Sequence, residues 1–307
     1  MKFRLDSGKQ TFVIKDVAID GFNIQYKLIA DDVNTSPNGV DLTKVRVKAI
    51  LYQAGERFEL INTEVAPLHA DYYIANDSID LGTGISATGV CAFTNNQTVA
   101  HTASVKGQRE GLTPIRFSGG IVLKGSDKIE FELDLQTGAF DGNCDADSYV
   151  VLEPNEVVTN QLTVPTIEVY PISSNEAQWV KNLGDNISTV SVYSIDKGDT
   201  ITESVVTNVQ FNSDKLKYDR GYSELLASRN SVKENLSGYN ALLLARGSDF
   251  DNVEISMDLE SSNVTAGMST VIVRRFEVDE DVVRTGTHRA MKHQTKNRSK
   301  FSFKSYR

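Results

Sequence analysis

The residues with the clearest chemical potential lie in one short acidic loop, Asp-Gly-Asn-Cys-Asp-Ala-Asp at positions 141–147. Oxygen-bearing side chains at its alternate positions could converge on a hard cation such as calcium. These four residues are Asp141, Asn143, Asp145 and Asp147. The loop departs from an EF-hand, because Ala146 replaces the expected glycine and Leu152 the expected bidentate glutamate. The alternative is that an Asp/Asn/Gly loop merely joins two strands, and calcium is the one cofactor that the sequence suggests.

Catalytic motifs are absent from the sequence. It contains no Gly-x-Ser-x-Gly, no Walker loop and no His-Glu-x-x-His. His69 and His101 stand alone, without the positioned partner that a general base requires. A glycosidase pair could be assembled from distant carboxylates, but alternation with apolar residues already explains the acidic side chains as solvated strand faces. We therefore expect a protein that is not an enzyme.

The C-terminal segment, residues 284–307, is basic and contains no acidic residue. Its cations are Arg284, Arg289, Lys292, Lys296, Arg298, Lys300, Lys304 and Arg307. All 41 acidic residues precede it, so the rest of the chain has a formal charge near −17 and the tail +8. Such asymmetry predicts a tail that contacts something anionic, and its three aromatic residues could stack on bases or enter a lipid interface. The alternative is a disordered, solubilising tail.

The elements that would position these residues are indicated by two stretches with one plan, 121–135 and 243–259. Aligned on Gly125 and Gly247, each has an apolar run, a basic residue, Gly-Ser-Asp, and then apolar residues alternating with polar ones. A period of two is typical of a strand with one buried face. We predict that each stretch is a hairpin and that the chain contains two related β domains. Chance similarity between turns is the alternative.

Short strand patterns, separated by turns rich in Gly, Asn and Pro, continue along the whole chain. They predict an all-β fold of two consecutive antiparallel jelly-roll β-sandwiches with one or two short loop helices. We expect helices at 222–236 and, around Trp179, at 176–183. The predicted organisation is an N-terminal arm (1–10), a first jelly roll (11–153), a linker (154–165), a second jelly roll (166–283) and the basic tail (284–307). No apolar run approaches the ~20 residues that cross a bilayer, and the start lacks the apolar core of a signal peptide.

The chain combines two consecutive β domains, the paired stretches 121–135 and 243–259, a helix inserted before the second stretch, and a basic tail. In this combination it resembles the double jelly-roll major capsid proteins of tailless phages with an internal membrane, of the tectivirus, corticovirus and finnlakevirus kind. The resemblance implies a homotrimer whose six jelly rolls make a near-hexagonal tile of an icosahedral shell. It further implies contacts with neighbouring trimers and other capsid proteins, and basic termini that face internal membrane lipid or the genome. Residues 31–42 and 76–108 would be surface or trimer-contact loops. The protein would be made in the host cytoplasm and reside in the virion capsid, where a calcium loop is compatible with shell stabilisation.

Two other classes of protein remain open at the level of the sequence. A two-domain β-sandwich binding module, such as a lectin or a phage receptor or baseplate protein, would need an aromatic-lined groove, for which Tyr72, Tyr73 and Trp179 are the visible candidates. A jelly-roll glycosidase comes third.

Overall fold

The computed structural model describes residues 2–33, 35, 37, 39–75, 83–85, 90–93, 106–140, 143–158, 164–172, 177–195, 205–228, 239–260 and 269–277. These residues form antiparallel sheets with two short α-helices, so the predicted all-β class is confirmed. Within the described residues, no helix is long and apolar enough to span a membrane.

The first half of the chain forms a sandwich of two four-stranded sheets. Their strand orders are β1-β11-β3-β9 and β2-β10-β5-β6. A single turn of 3-10 helix, Leu42–Lys44, precedes β5. The elements are β1 (Phe3–Leu5), β2 (Gly8–Ile14), β3 (Ala18–Ile29), β4 (Val40–Asp41), β5 (Val45–Gln53), β6 (Glu56–Glu64), α1 (Val65–Ala75), β7 (Thr83–Ile85), β8 (Val90–Phe93), β9 (Gln108–Val122), β10 (Lys128–Leu135) and β11 (Tyr149–Glu156).

The second half forms another sandwich of two four-stranded sheets, with strand orders β12-β19-β14-β17 and β13-β18-β15-β16. Its elements are β12 (Val164–Ile172), β13 (Gln178–Gly184), β14 (Ile187–Ile195), β15 (Val206–Asn212), β16 (Lys217–Gly221), α2 (Tyr222–Ser228), β17 (Tyr239–Phe250), β18 (Val253–Leu259) and β19 (Ser269–Glu277).

The two sandwiches correspond strand for strand. In chain order, β1, β2, β3, β5, β6, α1, β9, β10 and β11 take the same places as β12, β13, β14, β15, β16, α2, β17, β18 and β19. Strands β4, β7 and β8 occur in the first sandwich alone among the described residues. The prediction of two related β domains is therefore confirmed by topology.

Each sandwich encloses a core because its strands alternate in hydrophobicity. In β10, Ile129, Phe131 and Leu133 are buried while the acidic residues between them face outward. Phe22 packs edge to face against Phe131 in the first core, with ring centroids 4.7 Å apart. In β18, Val253, Ile255, Met257 and Leu259 repeat the same pattern in the second core.

The paired stretches are not hairpins, contrary to the sequence analysis. β9 and β10 belong to opposite sheets of the first sandwich, as β17 and β18 do in the second. Gly125, with φ 67°, lies in the connection between β9 and β10, whereas Gly247 lies within β17. Asp251 and Asn252, which has φ 52°, connect β17 to β18. Each stretch is thus an arch between sheets, and the two Gly-Ser-Asp sequences are not structurally equivalent.

Three further expectations differ from the structure, and a fourth, the helix at 222–236, is confirmed for its described part. The helix expected at 176–183 is strand β13. The helix expected at 222–236 is described only as Tyr222–Ser228, and residues 229–238 lie outside the described part. The expected N-terminal arm contributes β1 and the start of β2, which pair with β11 and β10. Both ends of the expected linker, 154–165, are in strands, because β11 ends at Glu156 and β12 begins at Val164.

The two extra loops of the first sandwich meet each other. Val40 in β4 pairs with Cys91 in β8, and Ile85 in β7 pairs with the same cysteine, so β4-β8-β7 is a small separate sheet. β4 comes from the expected loop 31–42, and β7 and β8 come from the expected loop 76–108. Two insertions distant in sequence therefore form one structural unit.

Candidate functional site: the contact between the two sandwiches

The structural feature that unites the chain is a contact between unlike surfaces of the two sandwiches. On the first sandwich, α1 and the edge strands β6 and β9 form one side. This side packs against the outer face of sheet β12-β19-β14-β17. In β19, Val271 and Val273 belong to the second core, whereas Ile272 between them belongs to the first core. This sheet is therefore buried on both faces.

A buried ion pair crosses the contact. Asp71 in α1 has no exposed surface and pairs with the guanidinium of Arg274 in β19, which is 8% exposed. Ser191 in β14 donates a hydrogen bond to the other carboxylate oxygen of Asp71. Arg274 Nε donates to the carbonyl oxygen of Arg116 in β9 at 3.2 Å. Each charge is thus met by partners from the opposite sandwich, as burial of a charge requires.

Two serines continue this polar network along the contact. Ser188 Oγ donates to the carbonyl oxygen of Arg274 at 3.0 Å, which uses its only hydroxyl proton. Ser118 in β9 must therefore donate to Ser188 Oγ, at 2.7 Å. Directional bonds of this kind fix the register between two surfaces more closely than apolar packing does.

A buried histidine lies two residues before Asp71. Nδ1 of His69 and Oγ1 of Thr113 in β9 are joined by a hydrogen bond at 2.7 Å, and both residues have 0% exposure. Burial lowers the pKa of His69 to about 3, because a charged imidazole would lose its hydration. His69 is therefore neutral at physiological pH. His69 lies within α1, and His101 lies outside the described residues.

The acidic loop lies elsewhere, beside the loop that follows β3. The Asp145 carboxylate pairs with Lys106 and accepts a hydrogen bond from the backbone N–H of Asp147 at 2.9 Å. The hydrogen bond from Lys106 lowers the pKa of Asp145. The backbone carbonyl oxygen of Asn143 accepts a hydrogen bond from the backbone N–H of Asp31 at 3.0 Å. Asp141 lies outside the described residues.

These contacts give Asp145 a structural role in tying loops together. Within the described part of the chain, no three His, Cys, Asp or Glu residues cluster as a metal site would require. The calcium site at Asp141, Asn143, Asp145 and Asp147 stays a prediction.

Comparison with solved structures identifies known proteins with a similar fold of two sandwiches. The major capsid protein of Sulfolobus turreted icosahedral virus matches with a TM-score of 0.56 and 11% identity, over 90% of this chain and 94% of that one. A chain from the atomic structure of the same virus matches with a TM-score of 0.55 and 12% identity, over 94% and 95%. The chain is a double jelly roll. The predicted pair of consecutive jelly rolls is thereby confirmed, and so, at the level of the fold, is the resemblance to these capsid proteins.

A third solved structure, the major capsid protein of bacteriophage PM2, matches with a TM-score of 0.44 and 10% identity over 90% of this chain and 97% of that one. Neither the models of protein families nor the curated proteins contain a match to this double jelly roll.

The carboxylates considered for glycosidase chemistry lie on outward faces of the double jelly roll. Glu132 pairs with Lys9 at 2.8 Å, and Glu130 pairs with Lys128 at 2.5 Å. Asp258 accepts a hydrogen bond from Gln178 at 3.3 Å. Their contacts are those of cross-strand and neighbouring pairs on a solvated sheet, as the alternation in sequence predicts.

The tail residues Arg284 to Arg307 lie outside the described residues, so their contacts stay a prediction.

Sequence reasoning missed the residues of the contact between the two sandwiches, above all Asp71, Ser191 and Arg274. One signal was available: Val271, Ile272 and Val273 form an unbroken apolar run, which is typical of a strand buried on both faces.

Proposed function

We propose that this protein is a major capsid protein, a structural protein without enzymatic activity that builds the shell of an icosahedral virion. The observation that carries the proposal is the likeness to the major capsid protein of Sulfolobus turreted icosahedral virus, which extends over 90% of this chain and 94% of that one. A shared fold alone is compatible with other functions, so physical features of the chain must support the assignment.

The contact between the sandwiches supports it. A shell unit has to hold its shape while it is pressed against neighbours on several sides. Here two sandwiches share apolar packing around Ile272 and a buried network around Asp71 and Arg274, so they act as one rigid block. Asp71, Ser191 and Arg274 bond to each other or to backbone carbonyls across this contact, which favours a role in architecture over a role in chemistry.

The assembled form that fits this block is a homotrimer in which six sandwiches make a near-hexagonal tile. Neighbouring trimers and other capsid proteins would be its partners. The protein would be made in the host cytoplasm and incorporated into the virion capsid. The basic tail, with its +8 formal charge opposite an acidic body, would face internal membrane lipid or the genome.

A two-domain binding module is the competing function, and one observation weighs against it. Trp179, the sole tryptophan, is 9% exposed and belongs to the second core, so it does not line a surface groove. An exposed aromatic platform is what a carbohydrate-binding surface would need.

Light scattering followed by negative-stain imaging of the purified full-length chain tests the proposal. We expect a mass of three chains and, at higher concentration, sheets or shells of near-hexagonal tiles. A chain that stays monomeric at every concentration, or a small oligomer that binds glycans and never assembles further, would contradict the capsid function.

A further inference from the structure

Strand β9 carries a large bulge where it runs beside β3. Ile19 of β3 pairs with Ile121 of β9. Two residues further along β3, Gly21 pairs with Arg116. One residue of β3 between these pairs therefore faces four residues of β9, 117–120, which we call the β9 bulge. An ordinary bulge places two residues opposite one, so the β9 bulge sets a longer segment of the strand outside the ladder.

The β9 bulge and the residue before it carry hydrogen bonds of the contact between the two sandwiches. The carbonyl oxygen of Arg116 accepts from Arg274 Nε at 3.2 Å. Within the bulge, Ser118 Oγ lies 2.7 Å from Ser188 Oγ. Both bonds from β9 to the second sandwich thus depend on the position of one short segment.

The backbones of β3 and β9 approach very closely at Gly21. A Cβ atom at this position would lie 2.1 Å from the carbonyl oxygen of Ile115 and 2.9 Å from the Cα of Arg116. These neighbours are backbone atoms, which cannot turn aside as the end of a flexible side chain can. Since non-bonded heavy atoms pack at about 3.5 Å, a side chain at position 21 would force the two strands apart by roughly 1 Å or more.

The side chain of Arg116 holds the two strands at this short distance. Its Nη1 donates to the carbonyl oxygens of Phe22 in β3 and Ile115 in β9, at 3.1 and 3.2 Å. Its Nη2 donates to Oδ1 of Asn23 at 2.8 Å. The guanidinium thus bonds to both strands, while the backbone carbonyl of the same residue accepts from Arg274. The close approach of the strands and the contact with the second sandwich therefore meet in one residue.

The second sandwich shows that the fold does not require a glycine at this position. Its strands β14 and β17, which correspond to β3 and β9, also have a bulge there. Ile187 pairs with Phe250, and two residues further along β14, Thr189 pairs with Arg246, so one residue faces three. Gly21 thus corresponds to Thr189, which has a β-branched side chain. The glycine belongs to the first sandwich, whose bulge is one residue longer and bonds to the other sandwich.

We infer that Gly21 is the positioning residue of the contact between the two sandwiches. Because it has no side chain, β9 lies close enough to β3 for the β9 bulge to present Ser118 and the Arg116 carbonyl oxygen to the second sandwich. Gly21 acts through these groups. The inference concerns a single chain, so it does not depend on the capsid function. It predicts that a change in β3 uncouples the second sandwich from the first.

Two spectroscopic signals test this coupling in the full-length chain. Trp179 fluorescence reports the second sandwich, because Trp179 is the sole tryptophan and belongs to the second core. Far-UV circular dichroism reports the strands of both sandwiches. In urea denaturation of the wild type we expect the two signals to change together, because coupled sandwiches unfold as one unit. In Gly21→Ala we expect a circular-dichroism curve with two steps about 1 M urea apart, and a fluorescence curve that follows one of them.

Gly55→Ala is the matched control. Gly55 lies between β5 and β6 of the first sandwich with φ 94°, and a Cβ there would have no neighbour within 4 Å. An alanine at this φ destabilises the first sandwich through its own backbone and leaves β9 in place. Its two signals should shift to lower urea together. Signals that also shift together in Gly21→Ala would show a merely local role and overturn the inference, as would a wild type whose signals do not coincide.

A second variant applies if Gly21→Ala does not fold. Ser118→Ala combined with Arg274→Lys removes both hydrogen bonds of the β9 bulge and keeps a positive charge beside Asp71. We expect its signals to separate as in Gly21→Ala, and signals that shift together as in Gly55→Ala would overturn the inference. Where Gly21→Ala folds, adding it to this variant should not widen the separation, because the changes act on the same bonds. A wider separation would place the role of Gly21 outside the contact.

Discussion

Asp71 in helix α1 and Arg274 in strand β19 form an ion pair between the two sandwiches. Asp71 is 0% exposed and Arg274 is 8% exposed. Removing one member of a buried pair leaves the other charge without compensation, which typically costs about 3–5 kcal/mol. We expect Asp71→Asn to lower the free energy of unfolding by this order, measured by urea denaturation. Glu132→Gln is the control, because its pair with Lys9 is exposed and should contribute about 1 kcal/mol or less. Equal losses in the two variants would contradict a locking role for Asp71.

The buried His69 predicts a dependence of stability on pH. Its pKa is about 3 in the folded chain and about 6.5 when unfolded. Between these values the unfolded chain binds one more proton, so stability should fall as the pH drops from 6.5 towards 3, by at most about 1.4 kcal/mol per pH unit from this group. Other groups also titrate in this range. The His69→Gln variant isolates the contribution of His69, because its unfolding free energy should vary less with pH.

Urea denaturation of the wild type and of His69→Gln at several pH values between 4 and 8 measures the difference. We expect the two curves to converge as the pH falls and to run parallel above about pH 7. Curves that stay parallel over the whole range would show that His69 is not kept neutral by burial.

The calcium hypothesis is tested at Asp141 and Asp147. Asp147 is exposed, and its hydrogen bond to Asp145 is made by its backbone N–H, so Asp147→Asn should leave the melting temperature of the chelated protein unchanged. If calcium binds, Asp141→Asn and Asp147→Asn should each reduce the rise in melting temperature that calcium produces.

The Asp145→Asn variant distinguishes a loop that binds calcium from a loop that only joins two strands. Because Asp145 pairs with Lys106 and bonds to the Asp147 N–H, its replacement should lower the melting temperature even with chelator present. A melting temperature of the wild type that is identical in calcium and in chelator would reject the metal site.

Truncation after residue 283 tests the basic tail. We expect the shortened chain to keep its melting temperature and to lose salt-sensitive association with DNA or with anionic vesicles, because eight cations are removed. Sedimentation with vesicles and gel shift with DNA at low and high salt measure this association, with vesicles of neutral lipid as the control. Unchanged association of the truncated chain at low salt would exclude the tail as the anionic contact.

The sequence predicted the strands well and their pairing poorly. Alternation in 121–135 and 243–259 follows from which side chains are buried, and this local property holds in both stretches. A turn between two strands does not specify whether they pair with each other or enter opposite sheets. That choice depends on partners far away in sequence, such as β3 for β9 and β5 for β10.

The helix expected around Trp179 was wrong for an identifiable reason. Trp179 and Leu183 are both buried and lie four residues apart, which is a helical spacing. In the structure, β13 shifts register between Asn182 and Gly184, and this irregularity breaks the period of two. Lys181, which would point inward in a regular strand, extends its ammonium over the ring of Tyr170 at 4.8 Å instead.

Helix α1 was missed because it is buried on more than one side. Val65, Ala66, Leu68 and His69 are all buried, so the described side chains of the helix show no polar face that a 3.6-residue period could identify. Its Pro67 lies in the first turn, where proline is tolerated. The candidate site could not be predicted from the sequence either. Asp71 and Arg274 are 203 positions apart, and they pair only when the two sandwiches are in contact.

The double burial of sheet β12-β19-β14-β17 also makes the two halves of the chain non-interchangeable. Ser188, Ser191 and Arg274 are matched to side chains of the first sandwich, whereas the corresponding face of sheet β1-β11-β3-β9 carries Gln25, Leu112 and Val151. Substitutions in one half cannot be copied into the other without placing polar groups against the wrong neighbour. The two sandwiches therefore need different sequences although they share one topology. A chain assembled from two identical halves would lack one side of the Asp71–Arg274 pair and with it the polar network of the internal contact.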